Sequence, residues 1–382
     1  MNARRAIANA AILVVSLVVA LALCELGARL VLNPADYLSV TMKPDQVLGM
    51  AIAPQGSGLD AWGFRNPGVP ASADIVALGD SHTFGNTATM DDAWPSVLAR
   101  QTGRTVYNLG LGGYGPNQYY HLLKTRGLSL RPRWILCGLY MGDDFENAFS
   151  ITYGLNHWAY MRSGNWGTVN ANIWDESERP GAFKPLRDWL SRKSLVYQLV
   201  AHGGPFGALK EAWRFRQAER GQYPSVTAIR VPDQNILEAF RPLGMANRLD
   251  QSRPEVKEGM RITFRLLMEM DRVCRESGCT FVVVVIPTKE TVFAKYFDTA
   301  PRLHLRHVLD KVIGNERLAR LALLAFLRDS NIAYVDTLPA LSEAVGRELY
   351  ARTTADMHPG KNGYRVIGEA VARFLGPVGR RD

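Results

Sequence analysis

The chain has 382 residues, 47% of them hydrophobic and 21% charged, enough for one large elaborated core or two modest domains and ordinary for a folded globular protein. Net charge is +9, yet no run of Lys and Arg with interleaved aromatics occurs, which speaks against nucleic-acid binding and for mild attraction to anionic lipid or acidic glycan. The cysteines show no CxxC and no His/Cys spacing, so neither a metal nor a cofactor is expected.

Arg4 and Arg5 precede AIANAAILVVSLVVALALC, Ala6 to Cys24, broken only by Asn9 and Ser16. As a helix this run reaches roughly 28 Å, enough for a bilayer core. Positive charge ahead of it places the N-terminus in the cytoplasm and the body outside. Ala20-Leu21-Ala22 would pass as a signal-peptide cleavage site, and bulky Leu23 disfavours Cys24 as a lipoprotein cysteine. The apolar pattern continues through Leu26, Leu30 and Val31, with Glu25 and Arg29 at its wet end. That favours an uncleaved anchor over residues 1–31, single-pass in the inner (cytoplasmic) membrane, with an extracytoplasmic, periplasmic body; no second span follows.

Residues 32–70 are rich in Pro and Gly and read as linker and lead-in, with WGFRNPG forming turns. From residue 71 strand-like and helical runs alternate: DIVALGD, DDAWPSVLARQTG, TVYNLG, NQYYHLLKTRG and RWILCGLYMG. The alternation resumes with EGMRITFRLLMEMDRVCRESG, TFVVVVIP, NERLARLALLAFLRDSN, IAYVD and NGYRVIGEAVARFLG. Strands apolar on both faces predict a doubly wound, mostly parallel α/β sheet in three flavodoxin-like layers, formed by residues 71–145 and 255–382. Residues 146–254 break the alternation and read as an insertion holding Trp158, Trp166, Trp174, Trp189 and Trp213. These rings are expected to form the insertion's own small core, ahead of a platform for a sugar or lipid. Cys137 reads as buried packing, whereas Cys274 and Cys279 flank RESG either as a disulfide or as two thiols.

Ligands of such sheets sit at the carboxyl ends of the strands. The first strand ends in Gly79-Asp80-Ser81-His82-Thr83, the second in YNLGLGGYG with Gly113, and the third in Gly142-Asp143-Asp144; TTADMHPGKNGY near the C-terminus supplies Asp356 and His358. A serine hydroxyl needs an imidazole to take its proton, and the imidazole needs a carboxylate to orient it. Two residues apart in a turn, Asp356 can bond one ring nitrogen while the other points at Ser81. The G-x-S-x-G elbow is absent around Ser81. Taken singly, Ser81 reads as a helix cap and His358 as a surface histidine; Asp80 reads as fixing its own turn and His82 as non-catalytic.

In these four blocks the chain resembles the SGNH/GDSL hydrolases, and more narrowly their membrane-anchored extracytoplasmic members with GFR before a GDS-x-T-x-G block. The resemblance covers the anchor, the lead-in and all catalytic blocks; the insertion has no matching motif. It implies an oxyanion hole made of the Ser81 and Gly113 backbone N–H groups and an asparagine side chain. Asp143 stands where that asparagine is expected. Three explanations are open: Asp143 stays protonated and donates, Asn147 takes over, or the site is weakened or repurposed. Lys289 in VIPTKETVF is either near the site, attracting an anionic substrate, or a solvated helix-start lysine. The function implied is a serine esterase acting through an acyl-enzyme on an acylated glycan or lipid, such as an O-acetyl group on a cell-envelope glycan. The alternatives are an O-acyltransferase on the same scaffold, or a catalytically degenerate glycan-binding or assembly protein.

Overall fold

The structure is a computed structural model and describes residues 2–53, 58–167, 169, 183–203, 205–231, 236–300, 303–354 and 356–376. Trp174 lies outside the described residues. A continuous helix α1 (Asn2–Val31) opens the chain, long and apolar enough to cross a membrane and uncovered along its apolar run. A hairpin of β1 (Met42–Asp45) and β2 (Gly49–Ile52) follows in the lead-in.

The body is built on β3 (Ile75–Gly79), the one-turn helix α2 (Ser81–Phe84), α3 (Trp94–Thr102), β4 (Val106–Gly110), α4 (Pro116–Thr125), β5 (Trp134–Tyr140) and α5 (Asp144–Gly154). Next come α6 (Lys184–Lys193), α7 (Leu195–Gly203) and α8 (Pro205–Glu219), the hairpin of β6 (Thr227–Val231) and β7 (Ile236–Phe240), and α9 (Pro242–Arg248). The sheet pattern then resumes with α10 (Pro254–Glu276), β8 (Thr280–Ile286), α11 (Lys289–Val292), α12 (Arg306–Asp329), β9 (Ala333–Asp336), α13 (Leu338–Glu343) and α14 (Lys361–Leu375).

Five strands form one parallel sheet in the order β4-β3-β5-β8-β9. Every residue of β3 is buried, and its alternation divides them between two cores. Val76 and Leu78 face a core with Leu122, Phe145, Leu267 and Leu323, hence α4, α5, α10 and α12; Ile75 and Ala77 face Trp94, Leu98, Ile367 and Val371, hence α3 and α14. The fold is thus the expected three-layer α/β arrangement. The strand order reverses between β3 and β5, and in open α/β sheets the crevice at such a reversal is where ligands bind.

Residues 146–154, placed in the insertion on sequence, continue α5; Ala148 and Ile151 pack with Ile262 and Leu266 of α10. Trp158 is buried, its indole donating to Val47 O at 2.8 Å, and Trp166 packs edge-on to Phe149 and Tyr153. Trp189 and Trp213 are instead 55% and 58% exposed. All four cysteines are free thiols, Cys24 exposed and the other three buried.

Candidate active site

The apolar run of β3 stops at Gly79 because α2 is set directly on the strand tails. A Cβ on Gly79 would lie 2.0 Å from Thr83 Oγ1, and one on Gly110 would lie 2.5 Å from the Phe84 nitrogen. Asp80 caps α2: Oδ1 accepts the His82 N–H at 2.9 Å, and Oδ2 accepts from His82 Nδ1 at 3.0 Å. The expectation that Asp80 fixes its own turn holds. Ser81 opens the helix, 9% exposed, beyond the carboxyl end of β3.

The C-terminal block reaches the same point. His358 Nε2 lies 2.7 Å from Ser81 Oγ, which donates to it, and His358 Nδ1 donates to Asp356 Oδ1 at 2.5 Å. Asp356 Oδ1 also accepts the His358 N–H at 2.9 Å, closing the two-residue turn. Cross-links hold the turn against the serine loop: Thr87 Oγ1 donates to Pro359 O at 2.7 Å, and Tyr364 Oη donates to Asn86 O at 3.0 Å. On its outer side Glu211 of α8 accepts the Thr354 N–H at 2.8 Å and its hydroxyl at 3.0 Å.

Charge is concentrated here. Burial would lower the His358 pKa, but the Asp356 carboxylate, with Asp80 and Asp143 behind it, outweighs burial and raises it. Burial likewise opposes ionisation of Asp356, yet the His358 hydrogen bond and charge hold its pKa below the usual value. His82 is shifted the other way: burial lowers it despite Asp80, and its ring stacks on Tyr140 with centroids 3.7 Å apart.

Asp143, at the tail of β5, is pushed up to about 7, first by burial and then by the charge of Asp80, with Arg248 and His358 pulling the other way. Its Oδ1 is buried and has no hydrogen-bond partner among the described residues. Asp144 is structural: its carboxylate accepts from Tyr119 Oη at 2.7 Å and from the Tyr140 N–H at 2.9 Å. Gly113 lies at φ +72° in the loop after β4, whose Leu111 N–H bonds Gly79 O at 3.0 Å. Asn147 is buried one turn into α5, its Cβ against Gly115.

Lys289 corrects the sequence expectation. It is 1% exposed, its ammonium 2.7 Å from a Glu238 carboxylate oxygen, and it lies over the rings of Phe240 and Tyr350. A cation neutralised and enclosed in this way neither draws an anionic substrate nor stands in solvent.

Arg65, in the GFR of the lead-in, was not singled out on sequence. It is 3% exposed, pairs with Asp36 at 2.6 Å and donates to Gly85 O at 2.8 Å and Ala88 O at 2.7 Å, clamping the loop behind Ser81. The signal available in sequence was an arginine within the turn-forming WGFRNPG stretch. Among the described residues no group of three or more His, Cys, Asp or Glu side chains is placed to hold a metal ion.

No protein-family model matches the chain, and no curated protein matches it. Solved structures similar to it are GDSL/SGNH hydrolases. One is a G-D-S-L family protein from Desulfitobacterium hafniense, at 13% identity and TM-score 0.38, covering 78% of this chain and 97% of the other. A catalytic mutant of an acetylxylan esterase from Geobacillus stearothermophilus matches at 12% identity and TM-score 0.36, covering 81% and 96%. A GDSL-like lipase from Bacteroides thetaiotaomicron matches at 9% identity and TM-score 0.35, covering 79% and 86%.

Proposed function

We propose that the chain is a membrane-anchored serine esterase of the SGNH type, with an exported catalytic body, acting on an acyl ester of the cell envelope such as an O-acetylated glycan. The observation that carries this reading is the continuous line Ser81 Oγ to His358 Nε2 at 2.7 Å and His358 Nδ1 to Asp356 Oδ1 at 2.5 Å, built from segments 277 residues apart at the reversal point of the sheet.

In the reaction Ser81 Oγ attacks the ester carbonyl while His358 takes its proton. The imidazolium is stabilised by Asp356 and returns the proton to the departing alkoxide, leaving an acyl-serine. Water, deprotonated by the same imidazole, then releases the carboxylic acid and restores Ser81. The oxyanion is held by the backbone N–H groups of Ser81 and Gly113 and by the protonated carboxyl of Asp143, whose buried Oδ1 lacks a partner.

The test is covalent labelling of the full chain with a fluorophosphonate, together with hydrolysis of an activated acetyl ester. Labelling mapped to Ser81, lost in Ser81→Ala and in His358→Ala, is expected. An intact, folded wild-type protein that neither labels nor hydrolyses the ester overturns the reading.

A further inference from the structure

Seven of the thirteen large apolar side chains exposed outside α1, among the described residues, fall between Phe183 and Trp213. Phe183 is the N-cap residue of α6, and the other six sit on α6, α7 and α8. Helix α6 has no buried residue at all; Leu186, Trp189 and Leu190 share one face at i, i+3 and i+4, and its basic residues Lys184, Arg187, Arg192 and Lys193 stand against the single acidic Asp188. On this face Leu186 and Trp189 are each more than half exposed, 55% in both, and only Leu190 is half-buried. On α8, Leu209 and Trp213 line a shallow cavity of about 500 Å³ with Lys210 and Arg216.

What covers these faces is indicated by where α1 ends. Glu25, at the polar end of its apolar run, caps α7: its carboxylate accepts the Leu195 and Val196 N–H groups, both at 3.1 Å, and the Ser194 hydroxyl at 3.0 Å. Arg29 donates to Lys193 O at 2.7 Å, the last residue of α6. The junction of α6 and α7 is therefore fastened to the span at the level where its apolar surface gives way to charge, which in a bilayer is the headgroup region. Amphipathic helices with tryptophan and leucine on one face and Lys and Arg on the other rest at that depth.

We propose that α6–α8 form a seat in the bilayer interface, with Leu186, Trp189, Val200, Leu209 and Trp213 sunk among the acyl chains and the basic residues against anionic headgroups. The proposal rests on the reading of α1 as a membrane span. Through Glu211 the seat is one helix, about 10–12 Å, from the loop bearing Asp356 and His358.

The test places a bimane fluorophore on the full chain in Cys24→Ser, where the remaining cysteines are buried. It is attached at Val18→Cys, Trp189→Cys or Trp213→Cys, and each protein is reconstituted into vesicles of phosphatidylglycerol and brominated phosphatidylcholine. Retained fluorophosphonate labelling of each variant certifies its fold. Deep bromines are expected to quench the probe at residue 18, and shallow bromines those at 189 and 213, with a blue shift of their emission. Quenching at 18 with none at 189 and 213 overturns the seat while the anchor stands, and leaves those helices to a protein partner. No quenching at 18 overturns the anchor and the seat with it.

Discussion

Asp143→Asn tests the chemistry most directly, because the site pairs a raised histidine with a raised carboxyl. In the proposed mechanism the base His358 works when neutral; with its pKa raised by Asp356, the acid limb of activity is expected above the ordinary histidine value of 6.5. The proposed donor Asp143 works when protonated; with its carboxyl pushed up to about 7, activity is expected to fall again as pH rises through that value. One unit above that value about a tenth of molecules keep the Asp143 proton, and two units above about a hundredth. A preorganised oxyanion donor is worth about 10²–10³ in kcat, so the ionised form contributes little turnover. An amide donates at every pH. Asp143→Asn should match the wild type below neutrality and exceed it about tenfold at pH 8 and about a hundredfold at pH 9, roughly 1.4 and 2.7 kcal/mol of barrier. The assay is kcat/KM for an activated acetyl ester across the pH range, with both proteins shown to be folded at each point. The acid limb, set by His358, should persist in both and lie slightly lower in Asp143→Asn, because the Asp143 charge is one of those that raise His358. Loss of activity in Asp143→Asn, or an alkaline limb that survives the change, refutes the assignment of Asp143 as a protonated donor.

Two further outcomes follow from contacts around the triad. Arg65→Met strips a buried cation from Asp36 and from two carbonyls behind Ser81, and breaking a buried pair from one side costs about 3–5 kcal/mol; a urea midpoint showing less than about 1 kcal/mol of loss contradicts the clamp. Glu211 has its pKa lowered: burial opposes this, but the Thr354 N–H and Arg214 outweigh it. Its hold on the loop that carries Asp356 and His358 is therefore complete above the unfolded value near 4.5 and is lost as pH falls through the folded value. The hydrogen-exchange protection factor of the Thr354 amide, taken relative to the intrinsic rate at each pH, should fall in acid for the wild type and be already low at neutral pH in Glu211→Gln; identical protection in the two proteins counts against the tether.

The parts of this protein that could be read from sequence are those whose signal is local. Residues 75–78 and, beyond Thr280, residues 281–286 announce themselves as buried strands because every position in them is apolar, and the GDS and DMH blocks carry their own turn chemistry within a few residues. Lys289 misled because its environment is set by Glu238, 51 positions earlier on a hairpin with no motif, and nothing near VIPTKETVF encodes that partner. Arg65 escaped notice for the same reason, its acceptors lying at Asp36, Gly85 and Ala88. The boundary at residue 146 was drawn where strand–helix alternation faltered, but burial of Ala148 and Ile151 against α10 continues the helical layer on that face of the sheet to Gly154. The tryptophans divided because composition alone does not say which rings the chain covers: Trp158 finds Val47 O, whereas Trp189 and Trp213 lie on helices uncovered on one side.

Two imidazole–carboxylate pairs flank Ser81, and geometry separates their work. Ser81 Oγ lies 3.3 Å from Asp80 Oδ2 and 2.7 Å from His358 Nε2. His82 has committed Nδ1 to Asp80, its ring is pinned against Tyr140, and burial keeps its pKa low, so it is a poor proton acceptor near the nucleophile. His358 has the opposite character: one nitrogen on the serine, the other on a carboxylate that favours its charged form, and a side chain 23% exposed where an alkoxide can collect the proton. Asp80 is among the charges that make His358 more basic, and after burial it is also what pushes Asp143 towards its protonated form. In the proposed reaction Asp80 favours both the acceptor of the serine proton and the donor to the oxyanion, which would let an aspartate serve where the resemblance implies an asparagine.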